Sequence, residues 1–214
     1  MIKHLLLSLT LLTLAPLYAC AQDAGQEFVE GEHYEVISPA VRTANPNEIE
    51  VAEFFWYGCG HCYTFEPIVE QWKKGIADDV DFHGSPAIWN PLMELHARAF
   101  YTAQTLGVLD TMHMVMFQAM NVDGKRLQSE EELAELFTAN GVAAEDFSKA
   151  FNSFGVNSQV RQANARARAA KITGTPALMV NGKYHVSARK AGGQAQMLQV
   201  VDYLVEKERA SRAN

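Results

Sequence analysis

Residues 49–65 read IEVAEFFWYGCGHCYTF, and the run changes character in its middle. From Ile49 to Tyr57 it is β-branched, aromatic and nearly continuous in hydrophobicity, the pattern of a strand buried on both faces. Gly58 interrupts it. From Cys62 to Lys74 the apolar residues Phe65, Val69 and Trp72 recur at helical spacing, so the order is strand, tight turn, helix, with Pro67 expected to kink the helix. Cys59 and Cys62, separated by Gly60 and His61, fall at the junction.

Working outward, a polar segment from Asp23 to Gly31 precedes a short edge strand expected at His33 to Ile37, closed by Ser38-Pro39, and Asn45-Pro46-Asn47 marks a turn. Downstream, a second strand is expected at Val80 to His83, ended by Gly84-Ser85-Pro86. Helical periodicity then fills Leu92 to Leu106, Leu109 to Met120, Ser129 to Asn140, Ala144 to Phe154 and Asn157 to Ala170. Ser129 with Glu132 has the form of a capping box, and Asn140-Gly141 suits a helix stop. Beyond Pro176, Ala177 to Val180 and Lys183 to Val186 flank Asn181-Gly182 as a hairpin, and Gln194 to Arg209 closes the chain as a helix. The pattern is α/β with an all-helical excursion from Pro86 to Ala170, without internal repeats.

The chain of 214 residues is 48% hydrophobic and 20% charged, a globular balance that excludes disordered and fibrous classes. With 25 acidic against 18 basic residues, net charge −7, it has no general attraction to nucleic acid. At the N-terminus, Lys3, the apolar run Leu5 to Leu14, Pro16 and Ala19-Cys20-Ala21 form an export signal, residues 1–21, expected to be cleaved after Ala21. The mature product is then exported into an oxidising compartment. In the alternative, cleavage before Cys20 lipidates that thiol, although Tyr18 is larger than such signals usually tolerate.

A thiolate at Cys59 faces the unpaired N–H groups and positive dipole end of the helix that follows, and His61, when protonated, adds a cation. Its pKa is therefore expected to fall, with Cys62 more shielded, and a stabilised thiolate makes the corresponding disulfide oxidising. A purely structural disulfide is the bland reading, yet a bridge closing so small a loop restrains the unfolded chain weakly. A metal site lacks ligands: three cysteines are present, and His83, His96 and His113 are scattered singly. No metal and no organic cofactor are expected.

Glu53 to Tyr63 (EFFWYGCGHCY), Phe147 to Phe154 (FSKAFNSF) and Thr173 to Tyr184 (TGTPALMVNGKY) resemble the DsbA family of bacterial periplasmic thiol oxidases within the thioredoxin-fold superfamily. The resemblance implies a thioredoxin-like fold formed by residues 22–86 and 171–214, with an all-helical domain, 87–170, inserted between its halves. It implies a redox-active Cys59–Cys62 disulfide passed to unfolded or partly folded exported proteins, with His61 tuning the pair. It also implies a cis peptide before Pro176, beside Cys59, where the backbone of Thr175 pairs with an extended substrate. Glu53 occupies the place of the family's buried acid, expected to relay the proton of Cys62; the alternative places it at an exposed strand edge. The lysine that accompanies this acid in relatives is missing near Gly84. Regeneration by a DsbB-type membrane oxidase and a monomeric state follow from the same resemblance.

Gly60-His61 departs from the more common Pro-His of the family, is shared with protein disulfide isomerases, and points to a weaker oxidant. An isomerase or reductase using the same dithiol, and a non-catalytic peptide-binding chaperone, are the competing functions. Met112, Met116 and Met120 are assigned to packing, and Trp56, Trp72 and Trp89 to core or groove. Arg161, Arg166, Arg168 and Lys171 are assigned to a solvated helix face.

Overall fold

The structure, a computed structural model, describes residues 28–212, so the export signal expected at residues 1–21 and Cys20 lie outside the described residues. In chain order the elements are β1 (Glu35–Val36), β2 (Ile49–Phe55), α1 (Gly60–Lys73), β3 (Val80–Pro86), α2 (Pro91–Thr105), α3 (Leu109–Asn121) and α4 (Glu130–Ala139). There follow α5 (Ala144–Phe151), α6 (Phe154–Ala169), β4 (Ala177–Val180), β5 (Tyr184–Ser187), α7 (Ala188–Ala191) and α8 (Gln194–Arg212). The five strands lie in the order β1-β5-β4-β2-β3, with β2 and β3 parallel and the other pairs antiparallel. This is a thioredoxin-like sheet with a run of five helices between β3 and β4.

All seven residues of β2 are buried, as its unbroken hydrophobicity predicts. Ile49 and Val51 face α1 and α8, packing with Phe65, Val69, Val201 and Leu204. Ala52 and Phe54 face Ala167, Ala170 and Ile172 at the end of α6. Phe55, still paired with Pro86 in the sheet, packs its ring with Phe100, Met112, Met116 and Phe117, so the end of β2 is rooted in the helical insertion. Helix α1 runs through Pro67 to Lys73.

Three local expectations change in the folded chain. β3 does not stop at His83 but continues to Pro86, its last three residues pairing with Glu53, Phe54 and Phe55 of β2, and a Cβ at Gly84 would come within 3.1 Å of the Phe55 ring and 3.3 Å of Phe100. Glycine there permits close approach rather than ending the strand. The helix expected from Ala144 to Phe154 ends at Phe151, and Ser153 caps α6 by accepting from the Val156 N–H at 3.2 Å. Arg166 is not part of a solvated face: it is half-buried in an ion pair with the fully buried Glu50, and Glu50 also accepts from the Ala44 N–H.

Candidate functional site

Cys59 is the N-cap of α1. Its backbone N–H donates to the Trp56 carbonyl at 2.9 Å, closing the turn that leaves β2, and its sulfur accepts the Cys62 N–H at 3.3 Å. At Gly58 a Cβ would lie 2.4 Å from the Trp56 indole, so a larger residue would force that ring to move. The Cys59 thiol also reaches the Thr175 carbonyl at 3.5 Å, and the Thr175–Pro176 peptide is cis. The two halves of the sheet thus meet at one sulfur.

The cysteines, both free thiols, differ sharply. Cys59 is partly exposed, and its pKa is lowered to about 5, chiefly by hydrogen bonding to the Cys62 side chain, with Thr175 and the N–H groups of Cys62 and His61 adding to the effect. Cys62 is fully buried, and desolvation, followed by the Cys59 hydrogen bond and charge, drives its pKa far upward. One sulfur is an accessible nucleophile and leaving group; the other is held as a thiol.

Polar contacts from distant elements fix the turn. Trp56 Nε1–H donates to His96 Nδ1 at 3.0 Å, so His96 carries its proton on Nε2, which donates to the Leu127 carbonyl at 2.9 Å. Burial lowers the His96 pKa and keeps the ring neutral. Asn121 Nδ2 donates to the Tyr57 carbonyl at 2.8 Å. Gln194, at the start of α8, donates to the His61 carbonyl at 2.5 Å, while the His61 side chain is exposed.

Glu53 is buried, 2% exposed, and its Oε1 has no hydrogen-bond partner among the described residues. Desolvation first, then the charges of Glu66, Glu70 and Cys59, raise its pKa well above its ordinary value, against the opposing pull of Lys73. It lines a cavity of about 420 Å³ with Glu66, Glu70, Lys73, His83, Asp110 and His113. Glu66 and His113 did not stand out in the sequence as site residues. The one available signal for Glu66 was a charged residue within the apolar stripe of α1, near Phe65 and Val69. Among the described residues one group of three potential metal ligands comes together within 4.8 Å, Glu50, Asp81 and His83 on β2 and β3. The Arg166 guanidinium already supplies the cation there.

Comparison with known proteins adds the following. The DSBA-like thioredoxin domain matches residues 74–205. The thiol:disulfide interchange protein DsbA of Azotobacter vinelandii is 41% identical over 182 residues, 85% of each chain. That of Pseudomonas aeruginosa is 37% identical over 209 residues, 98% of each. Among solved structures, Pseudomonas aeruginosa DsbA superimposes with a TM-score of 0.84 at 37% identity, over 87% of this chain and 97% of that one. The oxidoreductase DsbA of Xylella fastidiosa gives 0.80 at 34% identity, over 85% and 98%.

Proposed function

Because this chain belongs to the family of DsbA-like thioredoxin-domain proteins and is a thiol-disulfide oxidoreductase, we propose that Cys59 and Cys62 are its exchange pair and that it works as an oxidase of exported proteins. The observation that carries the reading is the asymmetry of the two thiols, one partly exposed with its pKa lowered to about 5, the other buried and raised. A substrate thiolate attacks Cys59 Sγ, the Cys59–Cys62 bond breaks, and its electron pair leaves on Cys62, which takes up a proton. A second substrate thiolate then attacks the substrate sulfur of the mixed disulfide, and Cys59 departs as a stabilised thiolate. The substrate loses two electrons, and the pair ends as one thiolate and one thiol.

Within this reading the Thr175 carbonyl offers a backbone acceptor beside Cys59 for an extended substrate strand, next to the buried Pro176. Glu53, kept neutral by burial, supplies the Cys62 proton, and exposed His61 adds positive charge near Cys59 when protonated. Residues 22–86 and 171–214 form the thioredoxin-like unit and 87–170 the inserted one, working as a monomer in the periplasm after removal of residues 1–21. A DsbB-type membrane oxidase restores the disulfide.

The test is oxidation of a reduced, unfolded protein by the oxidised chain. Cys59→Ser is expected to abolish it, and Cys62→Ser, loaded beforehand as a Cys59–glutathione disulfide, to release glutathione to an attacking substrate thiolate and form a Cys59–substrate mixed disulfide. Oxidation that survives Cys59→Ser overturns the assignment. An equilibrium in glutathione lying near the thioredoxin value of about −270 mV would point to a reductase.

A further inference from the structure

His113 stands on α3 with one ring nitrogen against each of two other elements. Nδ1 lies 3.0 Å from the Tyr57 hydroxyl, in the segment that follows β2, and Nε2 lies 3.1 Å from Glu66 Oε1 on α1. Tyr57 and Glu66 are 1% and 2% exposed. The rings of Phe55, Tyr57, Phe100 and Phe117 pack edge-on around the imidazole with centroids 5.0, 5.4, 5.9 and 5.1 Å away, which holds its plane. With Glu66 a carboxylate, which only accepts, and the imidazole in the tautomer that carries its proton on Nε2, the chain runs in one direction. Tyr57 O–H donates to Nδ1, and Nε2–H donates to Glu66. Burial, and then the charge of Glu66, keep Tyr57 protonated as this requires.

Glu66 lines the same cavity as Glu53. Two buried carboxyls in one low-dielectric space do not both ionise readily, and the one with hydrogen-bond donors keeps the charge. Glu66 has such a donor, whereas Glu53 Oε1 has none among the described residues.

We propose that His113 is a positioning residue for thiol exchange: held by Tyr57, it donates to Glu66, fixes Glu66 as the ionised member of the pair, and so places the pair's proton on Glu53. The inference rests on the reading of Glu53 as the proton source for Cys62. When the disulfide opens, the Glu53 O–H bond breaks, its proton goes to Cys62 Sγ, and the resulting carboxylate is reprotonated from water through the cavity. Around His113 the titratable groups are Glu66, Glu70 and Lys73 from α1, Glu53 and Tyr57 from β2 and its turn, His83 from β3 and Asp110 from α3. Lys73 acts against the arrangement by lowering Glu53.

Infrared spectroscopy of the reduced full chain at neutral pH tests this through the C=O stretch of a buried, protonated carboxyl. In the wild-type background the band is expected to vanish in Glu53→Gln and survive in Glu66→Gln. In a His113→Phe background the assignments are expected to exchange, and His113→Gln, which can still donate to Glu66 and accept from Tyr57, is expected to restore the original pattern. In stopped-flow, attack of a small thiol on the oxidised pair should slow about tenfold in His113→Phe and recover to within about threefold in His113→Gln. A band that stays with Glu53 in His113→Phe overturns the inference while leaving the exchange pair intact; failure of the exchange pair itself is read from Cys59→Ser. Should the Phe variant not fold, ¹⁵N NMR of the wild-type imidazole decides: a proton on Nδ1 rather than Nε2 refutes the arrangement.

Discussion

The lowered Cys59 pKa fixes how the redox potential must change with pH. Folding takes this thiol from an ordinary 9.0 to about 5, while burial keeps Cys62 protonated. Above the Cys59 pKa, opening the disulfide consumes two electrons and one proton; below it, two electrons and two protons. Since a tenfold change in equilibrium is about 30 mV for a two-electron couple, the potential should fall by about 30 mV per pH unit above pH 5 and by about 59 mV per unit below it. Because the folded pKa lies below the unfolded one, the thiolate stabilises the reduced fold in full above about pH 9, and the gain is lost as pH falls through about 5. At pH 7, two units above the folded value, the gain is about 2.7 kcal/mol at 1.36 kcal/mol per unit. Screening at a partly exposed sulfur brings it down to about 1–2 kcal/mol, or roughly 20–45 mV of added oxidising power. Equilibration with glutathione buffers between about pH 4 and 8.5, with thiolate absorbance followed on the same samples, measures both slope and break. A single slope near 59 mV per unit up to about pH 8 would refute the argument, because it would mean that Cys59 remains a thiol.

Glu53→Leu removes a buried carboxyl whose pKa is raised, a group whose cost grows once the unfolded chain ionises above about pH 4.3. Urea unfolding of the reduced variant should show a gain of ~1–3 kcal/mol at pH 8 that shrinks toward pH 4.5, together with slower thiol exchange; a loss of stability at pH 8 contradicts the reading. Gly60→Pro places proline at the first position of α1, where an added Cβ meets only Asn121 Oδ1 at 3.8 Å and where no N–H is needed within the helix. It should stabilise the chain by about 0.5–1 kcal/mol in urea unfolding, and destabilisation would show that the turn needs the freedom of glycine.

Much of this protein was legible before folding because its signals are local. The strand, the turn at Gly58, the two cysteines at a helix start, the hairpin at Asn181-Gly182 and the capping box at Ser129 each depend on residues within a few positions of one another. Hydrophobic period and capping chemistry report such neighbourhoods well. The same patterns missed Gly84, where the absent side chain makes room for Phe55 and Phe100 instead of ending a strand. They also missed Arg166, which on its helix reads as one more exposed cation until the sheet brings Glu50 against it.

What the sequence by itself determined was the order of elements and the placing of Cys59 and Cys62 at a helix start, since backbone periodicity and a Cys-x-x-Cys at a helix N-terminus are properties of contiguous residues. What tertiary structure decided was the electrostatics. Whether Glu53 is buried and whether His113 meets Glu66 across 47 positions depend on which surfaces pack together. Desolvation and Coulomb interaction act over ångströms in space rather than along the chain, so the raised proton affinities of Cys62 and Glu53 exist only once other elements pack over the end of β2, whereas the lowering at Cys59 owes its largest part to Cys62, three residues away.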